Sequence, residues 1–175
     1  MPSEDNLPSP TLILKNLLFT IVAPGAVTLL LPYLLLRSHL PQLHVELGVA
    51  RLAGLLPLVV GMLVYLWCVW DFMAARGTPA PIDAPRDLVV KGLYRYVRNP
   101  MYVGILLSII GEAIFFEAGL LALYAQVVFL VFHTFVILYE EPSLLRLFGK
   151  SYECYRRNVS RWIPRFTDEA GRSMR

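Results

Sequence analysis

"NPMYVGILLSIIGEAIFFEAGLLALYAQVVFLVFHTFVILYEEP", residues 99–142, decides how this chain folds. It holds two apolar runs, Met101–Phe116 and Leu120–Tyr139, parted only by the turn "EAG", which carries no basic residue. A helix needs about 20 mostly apolar residues to cross a hydrocarbon core about 30 Å thick. The second run meets that length and the first is short for it. So brief a connection forces the two into an antiparallel helical hairpin. With the turn centred near Ala118, His133 lies level with Tyr102 and Val103 at one end. Glu112 lies level with Tyr124 near the other.

Working outward, two further runs precede the hairpin: Thr11–Leu36, interrupted by Pro24-Gly25 and Pro32, and about Arg51–Phe72. The 175 residues are 57% hydrophobic and only 17% charged, with a mean hydropathy of +0.57. Apolar residues come in unbroken runs, not with the alternating period of a soluble domain. The expected fold is an all-α integral membrane protein with about four transmembrane helices, a single domain over 1–175. The start, "MPSEDNLPSP", is acidic, so it lacks the basic region of a signal peptide and the first run is expected to remain as a span. Residues 1–10 and 167–175 read as disordered ends. Cys68 and Cys154 have no metal or disulfide spacing and read as structural.

Charge sets the expected orientation. Thirteen of the 16 Lys and Arg lie in residues 74–100 or in the tail 140–175. Cytoplasmic loops collect basic residues, so both segments belong on that side, and an even number of spans brings both termini there too. The pI near 9.0 then follows from topology, and no basic stripe with interleaved aromatics points to nucleic acid. The compact form suggests a bacterial inner membrane.

The linker "ARGTPAPIDAPRD" is broken by Pro and Gly and reads as an ordered turn. "LVVKGLYRYV" follows as an extended piece and a helical turn. Asn99-Pro100 opens the third span, where proline suits a first helical turn. Beyond the fourth span, Pro142 is expected to begin a new helical segment, Gly149 to break it, and Lys150–Val159 to resume as a cytoplasmic helix. Leu144, Phe148, Tyr152, Tyr155 and Val159 recur at helical spacing and define its apolar face.

At the cytoplasmic end this register gathers Arg98, Asn99, Tyr102, His133, Glu140 and Glu141. A guanidinium fork suits a carboxylate or phosphate, and neighbouring carboxylates accept hydrogen bonds from hydroxyls or an ammonium. The set suits a zwitterionic nucleoside–amino-acid ligand better than a metal, for which no zinc spacing exists. Plainer readings stand beside it. Arg95 and Arg98 can be anchors, Glu140-Glu141 can cap a helix, Tyr94, Tyr96 and Tyr102 can be interfacial aromatics, and His133 can be a buried structural histidine. Glu112 is costly in a membrane and reads as either functional or hydrogen-bonded to Tyr124. Asp71 and Arg76 read as an interfacial pair.

"GLYRYVRNPMYVG" resembles the Gly-x-Tyr-x-x-x-Arg-His/Asn-Pro-x-Tyr-x-Gly motif of the isoprenylcysteine carboxyl methyltransferases and related phospholipid methyltransferases. "YEEPSLLRLFGKSYECYRRNVSRWIPR" resembles the C-terminal pattern of the same family. The likeness covers about residues 77–166, which the resemblance makes a cofactor-binding core. It implies a membrane methyltransferase that takes S-adenosylmethionine and acts on a lipid-like or amphiphilic acceptor drawn from the bilayer. By motif position, Arg98, Asn99, Pro100, Tyr102 and Gly104 would form one wall of the cofactor pocket. Glu140 and Glu141 would form another, with Tyr152, Tyr155 and Arg156 closing it. Arg98 would act at the reacting end, with His133 or Glu140 as a base for a neutral acceptor. Asn99 stands where eukaryotic members commonly have His, and an amide does not titrate. Competing classes are an NADPH-dependent reductase of the sterol-reductase type and a non-enzymatic membrane scaffold.

Overall fold

The computed structural model describes residues 22, 24–40, 43–74, 88 and 90–164. These residues are helical, with no strand among them beyond two isolated bridges, His44 with Ala118 and Val97 with Ser160. The helices are α1 (Leu31–Arg37), α2 (Leu55–Ala74), α3 (Pro100–Phe115), α4 (Gly119–Phe135), α5 (Glu141–Phe148) and α6 (Lys150–Asn158). Residues 11–21 and 23 of the first predicted span, the linker with Arg76, and both chain ends lie outside the described residues.

Two stretches, Gly48–Asp71 and Gly119–Phe148, are helices long and apolar enough to cross a membrane. Ala26–Arg37 and Pro100–Phe115 are shorter apolar helices. At 1.5 Å per residue the 16 residues of α3 reach about 24 Å. Their outward surfaces are apolar, with Leu63, Trp67, Trp70, Leu130 and Leu138 all more than half exposed.

Pro142 does not start a separate helix. Residues 119–148 form one continuous rod in which the π-helical turn Val136–Glu140 joins α4 to α5. Proline lacks the N–H of the α ladder, and a widened turn ahead of it absorbs the defect. The same device precedes α1, where the π-helical stretch Ala26–Leu30 ends two positions before Pro32. The extra residue in the turn re-aims Glu140 and Glu141 toward the interior of the bundle.

The closest helix contact is between α2 and α3, and glycine makes it possible. A Cβ built on Gly54 would lie 2.6 Å from the Gly111 carbonyl oxygen, and one on Gly61 would lie 2.5 Å from that of Gly104. Gly54 faces Gly111 and Gly61 faces Gly104, one heptad apart on antiparallel helices. Such approach gains van der Waals and weak C–H···O contact where lipid offers no hydrophobic drive. Cys68, Ile105 and Ile109 fill the core beside this seam with Tyr65 and Val128.

After α3 the chain turns within Phe116–Ala118, with Glu117 at a φ of 56°. Its Oε1 accepts the N–H groups of Leu47 and Gly48 at 2.9 and 2.8 Å, tying the turn to the start of the 3₁₀ stretch Gly48–Gly54. The α4 helix then runs back along α3, with the Tyr102 and Phe132 rings 4.6 Å apart. Glu112 and Tyr124 do not bond. The Tyr124 hydroxyl donates to the Val27 carbonyl at 2.9 Å, because the π-helical stretch before α1 brings that oxygen to it.

Gly149, at a φ of 53°, breaks the chain between α5 and α6. Tyr152, Tyr155 and Val159 are buried and pack with Leu144 and Phe148 against Leu88 and Val90, so the apolar face read from the sequence is the one buried. Arg146, Lys150, Arg156 and Arg157 stay exposed.

Candidate functional site

The segment before α3 and the segment after α6 meet at one end of the bundle. The Arg98 N–H donates to the Ser160 carbonyl at 2.8 Å beside the Val97–Ser160 bridge. Asn99 occupies the N-cap of α3, yet its side chain caps nothing. Its Nδ2 donates to the Arg161 carbonyl at 3.0 Å and so clasps the tail. The Tyr155 hydroxyl donates to the Tyr94 carbonyl at 2.7 Å, fixing α6 on the 3₁₀ turn Gly92–Arg95. That turn needs Gly92: its φ is 53°, and a Cβ there would collide with the Asp71 carboxylate at the end of α2.

Into this junction the α4–α5 rod projects its paired carboxylates. Glu141 is buried and accepts three N–H donors: Arg98 Nη1 at 2.9 Å and Arg161 Nε and Nη2 at 2.7 and 3.0 Å. The Arg98 and Glu141 side chains are 9% and 10% exposed, and the Arg161 side chain is 30% exposed. Donating to Glu141 raises the already high pKa of Arg161. The neighbouring Glu140 accepts the Tyr102 hydroxyl at 2.9 Å through Oε2. Burial raises the phenol pKa values of Tyr152 and Tyr155. At Tyr152 the Glu141 charge adds to burial while the Arg98 guanidinium opposes it.

His133 lies at the expected level but faces sideways. The indole Nε1 of Trp162 donates to its Nδ1 at 3.1 Å, and Phe129 packs on the same pair with ring centroids at 5.6 and 5.3 Å. An indole N–H only donates, so Nδ1 is the acceptor and the imidazole hydrogen sits on Nε2. As placed, the Nδ1 lone pair of His133 is engaged by Trp162.

Arg98, Asn99, Tyr102, Glu140, Glu141, Tyr152 and Tyr155 thus come together. Pro100 is buried as the first residue of α3. Gly104 sits in the α2–α3 seam against Gly61, one turn from the charges, and Arg156 is exposed on α6. Arg161 and Trp162, not singled out from sequence, supply two of the donors to Glu141 and the partner of His133. Arg161 stands inside the quoted C-terminal pattern, which was the available signal. Arg98 Nε is buried and has no hydrogen-bond partner among the described residues. An arginine N–H left open beside paired carboxylates fits a ligand that carries both a carboxylate and hydroxyl or ammonium donors.

Fold and site define an all-helical protein of membrane type with a partly unsatisfied charged site at one end of its apolar helices. The sequence model of the phospholipid methyltransferase family matches residues 49–151, and the chain belongs to that family. A stretch of 77 residues is 38% identical to the protein-S-isoprenylcysteine O-methyltransferase of Schizosaccharomyces pombe, and it covers 44% of this chain and 33% of that protein. No solved structure matches. The family match includes α2 and its half of the glycine seam, which the motif likeness over 77–166 left out.

Proposed function

We propose that this chain is a membrane methyltransferase that binds S-adenosylmethionine at the Arg98–Glu141–Arg161 junction and methylates an amphiphile from the bilayer. The observation that carries this reading is the buried Arg98 guanidinium, with one N–H bound to Glu141 and Nε open. When bound, the cofactor would supply an electrophilic methyl group on a sulfonium. Arg98 would hold its carboxylate, and the Glu140 oxygen not engaged by Tyr102 would accept from ribose hydroxyls or the ammonium. Tyr102 fixes the Glu140 rotamer, and Asn99 keeps the tail segment with Arg161 closed over the site. Tyr152 and Tyr155 shield it from water, which strengthens each charge contact.

With its lone pair committed to Trp162, His133 is a positioning residue in this reading, holding the segment after α6 against α4. That leaves Glu140 as the base for a neutral acceptor, whereas an acceptor whose nucleophile arrives as an anion, such as a carboxylate oxygen, needs no base. The fission-yeast relative is an O-methyltransferase by name, which agrees with an anionic oxygen acceptor. The basic residues of 74–100 and of the tail support a junction at the cytoplasmic face, in a chain of four spans with both termini on that side. The test is transfer of labelled methyl from S-adenosylmethionine into membrane lipid extracts and prenylcysteine analogues by the purified chain. Incorporation by wild type and loss of it in Arg98→Ala support the proposal. Equal incorporation by both rejects the assignment of the site.

A further inference from the structure

A second site lies at the other end of the molecule. Between the α1 region, α2 and α3 runs a cleft of about 1130 Å³ whose walls are almost wholly aliphatic and aromatic, among them Leu29, Leu58, Met62 and Phe115. Glu112 is one of the lining residues although it is only 8% exposed, and its buried Oε2 has no hydrogen-bond partner among the described residues. Three hydroxyls from α3 and the neighbouring helices are committed elsewhere. Ser108 Oγ donates to the Gly104 carbonyl at 3.0 Å, Thr28 Oγ1 to the Pro24 carbonyl at 2.8 Å, and Tyr124 to Val27. Arg37, at the end of α1, bonds the Tyr33 hydroxyl. An unsatisfied carboxylate in apolar surroundings is among the costliest groups a membrane protein can hold, and it persists where a ligand or partner meets it.

We propose that this cleft binds an amphiphile with a protonated primary amine on an alkyl chain, the amine held by Glu112 and the chain lying between α1 and α2. Charge complementarity selects the head group: a carboxylate with a free oxygen accepts N–H donors, and a primary ammonium brings three. A quaternary ammonium has the charge without the donors, and an alcohol has one donor without the charge. Glu112 stands thirteen residues along α3 from Asn99, about 20 Å at the helical rise, so an amine seated there is out of reach of the Arg98 junction. The ligand is therefore a resident or regulatory amphiphile and not the methyl acceptor. The proposal rests on the methyltransferase reading only for the statement that this ligand is not the methyl acceptor.

The experiment is a native mass-spectrometric titration of the whole chain in detergent with hexadecylamine, hexadecyltrimethylammonium and hexadecanol. Wild type, Glu112→Gln and Met62→Trp, which fills the cleft, are compared. Wild type is expected to hold hexadecylamine at least roughly tenfold more tightly than either control, and Glu112→Gln to lose that margin. Met62→Trp weakens all three. Equal retention of the amine by Glu112→Gln, or equal retention of amine and quaternary salt by wild type, overturns the proposal. If Glu112→Gln does not fold, Met62→Trp decides: unchanged amine binding overturns the site and reduced binding upholds it. S-adenosylmethionine binding by Glu112→Gln is expected to be unchanged, so failure at the Arg98 junction is read separately.

Discussion

Arg98 and Glu141 join the segment before α3 to the α4–α5 rod, and a double-mutant cycle on this pair measures whether the junction is held by charge. Both side chains are nine-tenths buried and meet at 2.9 Å. Breaking a fully buried pair from one side costs about 3–5 kcal/mol, since the remaining charge is stranded. In Arg98→Met, however, Glu141 keeps both bonds from Arg161 at 2.7 and 3.0 Å, so about 2–3 kcal/mol is expected. Glu141→Gln strands two guanidiniums, one of them 30% exposed and partly solvated, for a similar loss of about 2–3 kcal/mol. The double variant should lose less than the sum, leaving a coupling of about 1.5–2 kcal/mol. Denaturant unfolding in a mild detergent, followed by circular dichroism, reads all four free energies. A coupling below about 0.5 kcal/mol, the usual limit for independent sites, would refute the claim that these groups act as a pair.

Other expectations follow from the same contacts. Gly61→Leu forces a side chain into the Gly104 carbonyl, so the α2–α3 seam must part; a loss of about 3 kcal/mol or failure to insert is expected, while Gly149→Ala meets no neighbour and loses only about 1–2 kcal/mol to backbone strain at its positive φ. Tyr155→Phe removes a buried hydrogen bond to Tyr94 and should cost about 1–1.5 kcal/mol in the same unfolding assay. Because burial raises the Tyr155 pKa above its ordinary value of about 10, its contribution is complete below that pH and is lost as pH rises beyond it. Wild type should therefore lose stability above about pH 10 more steeply than Tyr155→Phe. Trp162→Phe frees His133 Nδ1, so nitrogen NMR should show the imidazole hydrogen on Nε2 in wild type and a tautomer mixture in the variant; identical spectra would remove the Trp162 contact from the site.

Much of this architecture was legible in residues 99–159. The three-residue turn and the apolar runs either side of it dictate that α4 folds back along α3, and the helical period of Leu144, Phe148, Tyr152, Tyr155 and Val159 marks the face α6 buries. The spacing from Arg98 to Glu141 is a consequence of that turn, so most of the site followed. What escaped depends on backbone approach and not on side-chain pattern. Gly54, Gly61, Gly104 and Gly111 are seven apart within each run, a signal hidden among other small residues until the two helices are set antiparallel. Pro142 reads locally as a helix start, and only the continuity of the rod shows a π-helical turn carrying the chain through it. Asn99 reads as the opening of the third span and a pocket residue, and nothing in the sequence signals that its amide donates to the tail carbonyl of Arg161. The Glu112–Tyr124 bond is not made because the phenol donates instead to Val27, a main-chain acceptor with no sequence signature. Arg161 was passed over because its value comes from reaching back twenty residues to Glu141 after two helices and a glycine break.

The central claim is that the Arg98–Glu141–Arg161 junction is a methyl-donor site, and calorimetric binding of S-adenosylmethionine to the purified chain in lipid nanodiscs tests it most directly. Glu141→Ala and NADPH serve as controls. Micromolar binding to wild type, absent in Glu141→Ala and unmatched by NADPH, is the predicted result. A folded wild-type protein that ignores S-adenosylmethionine, or binds NADPH in its place, contradicts it.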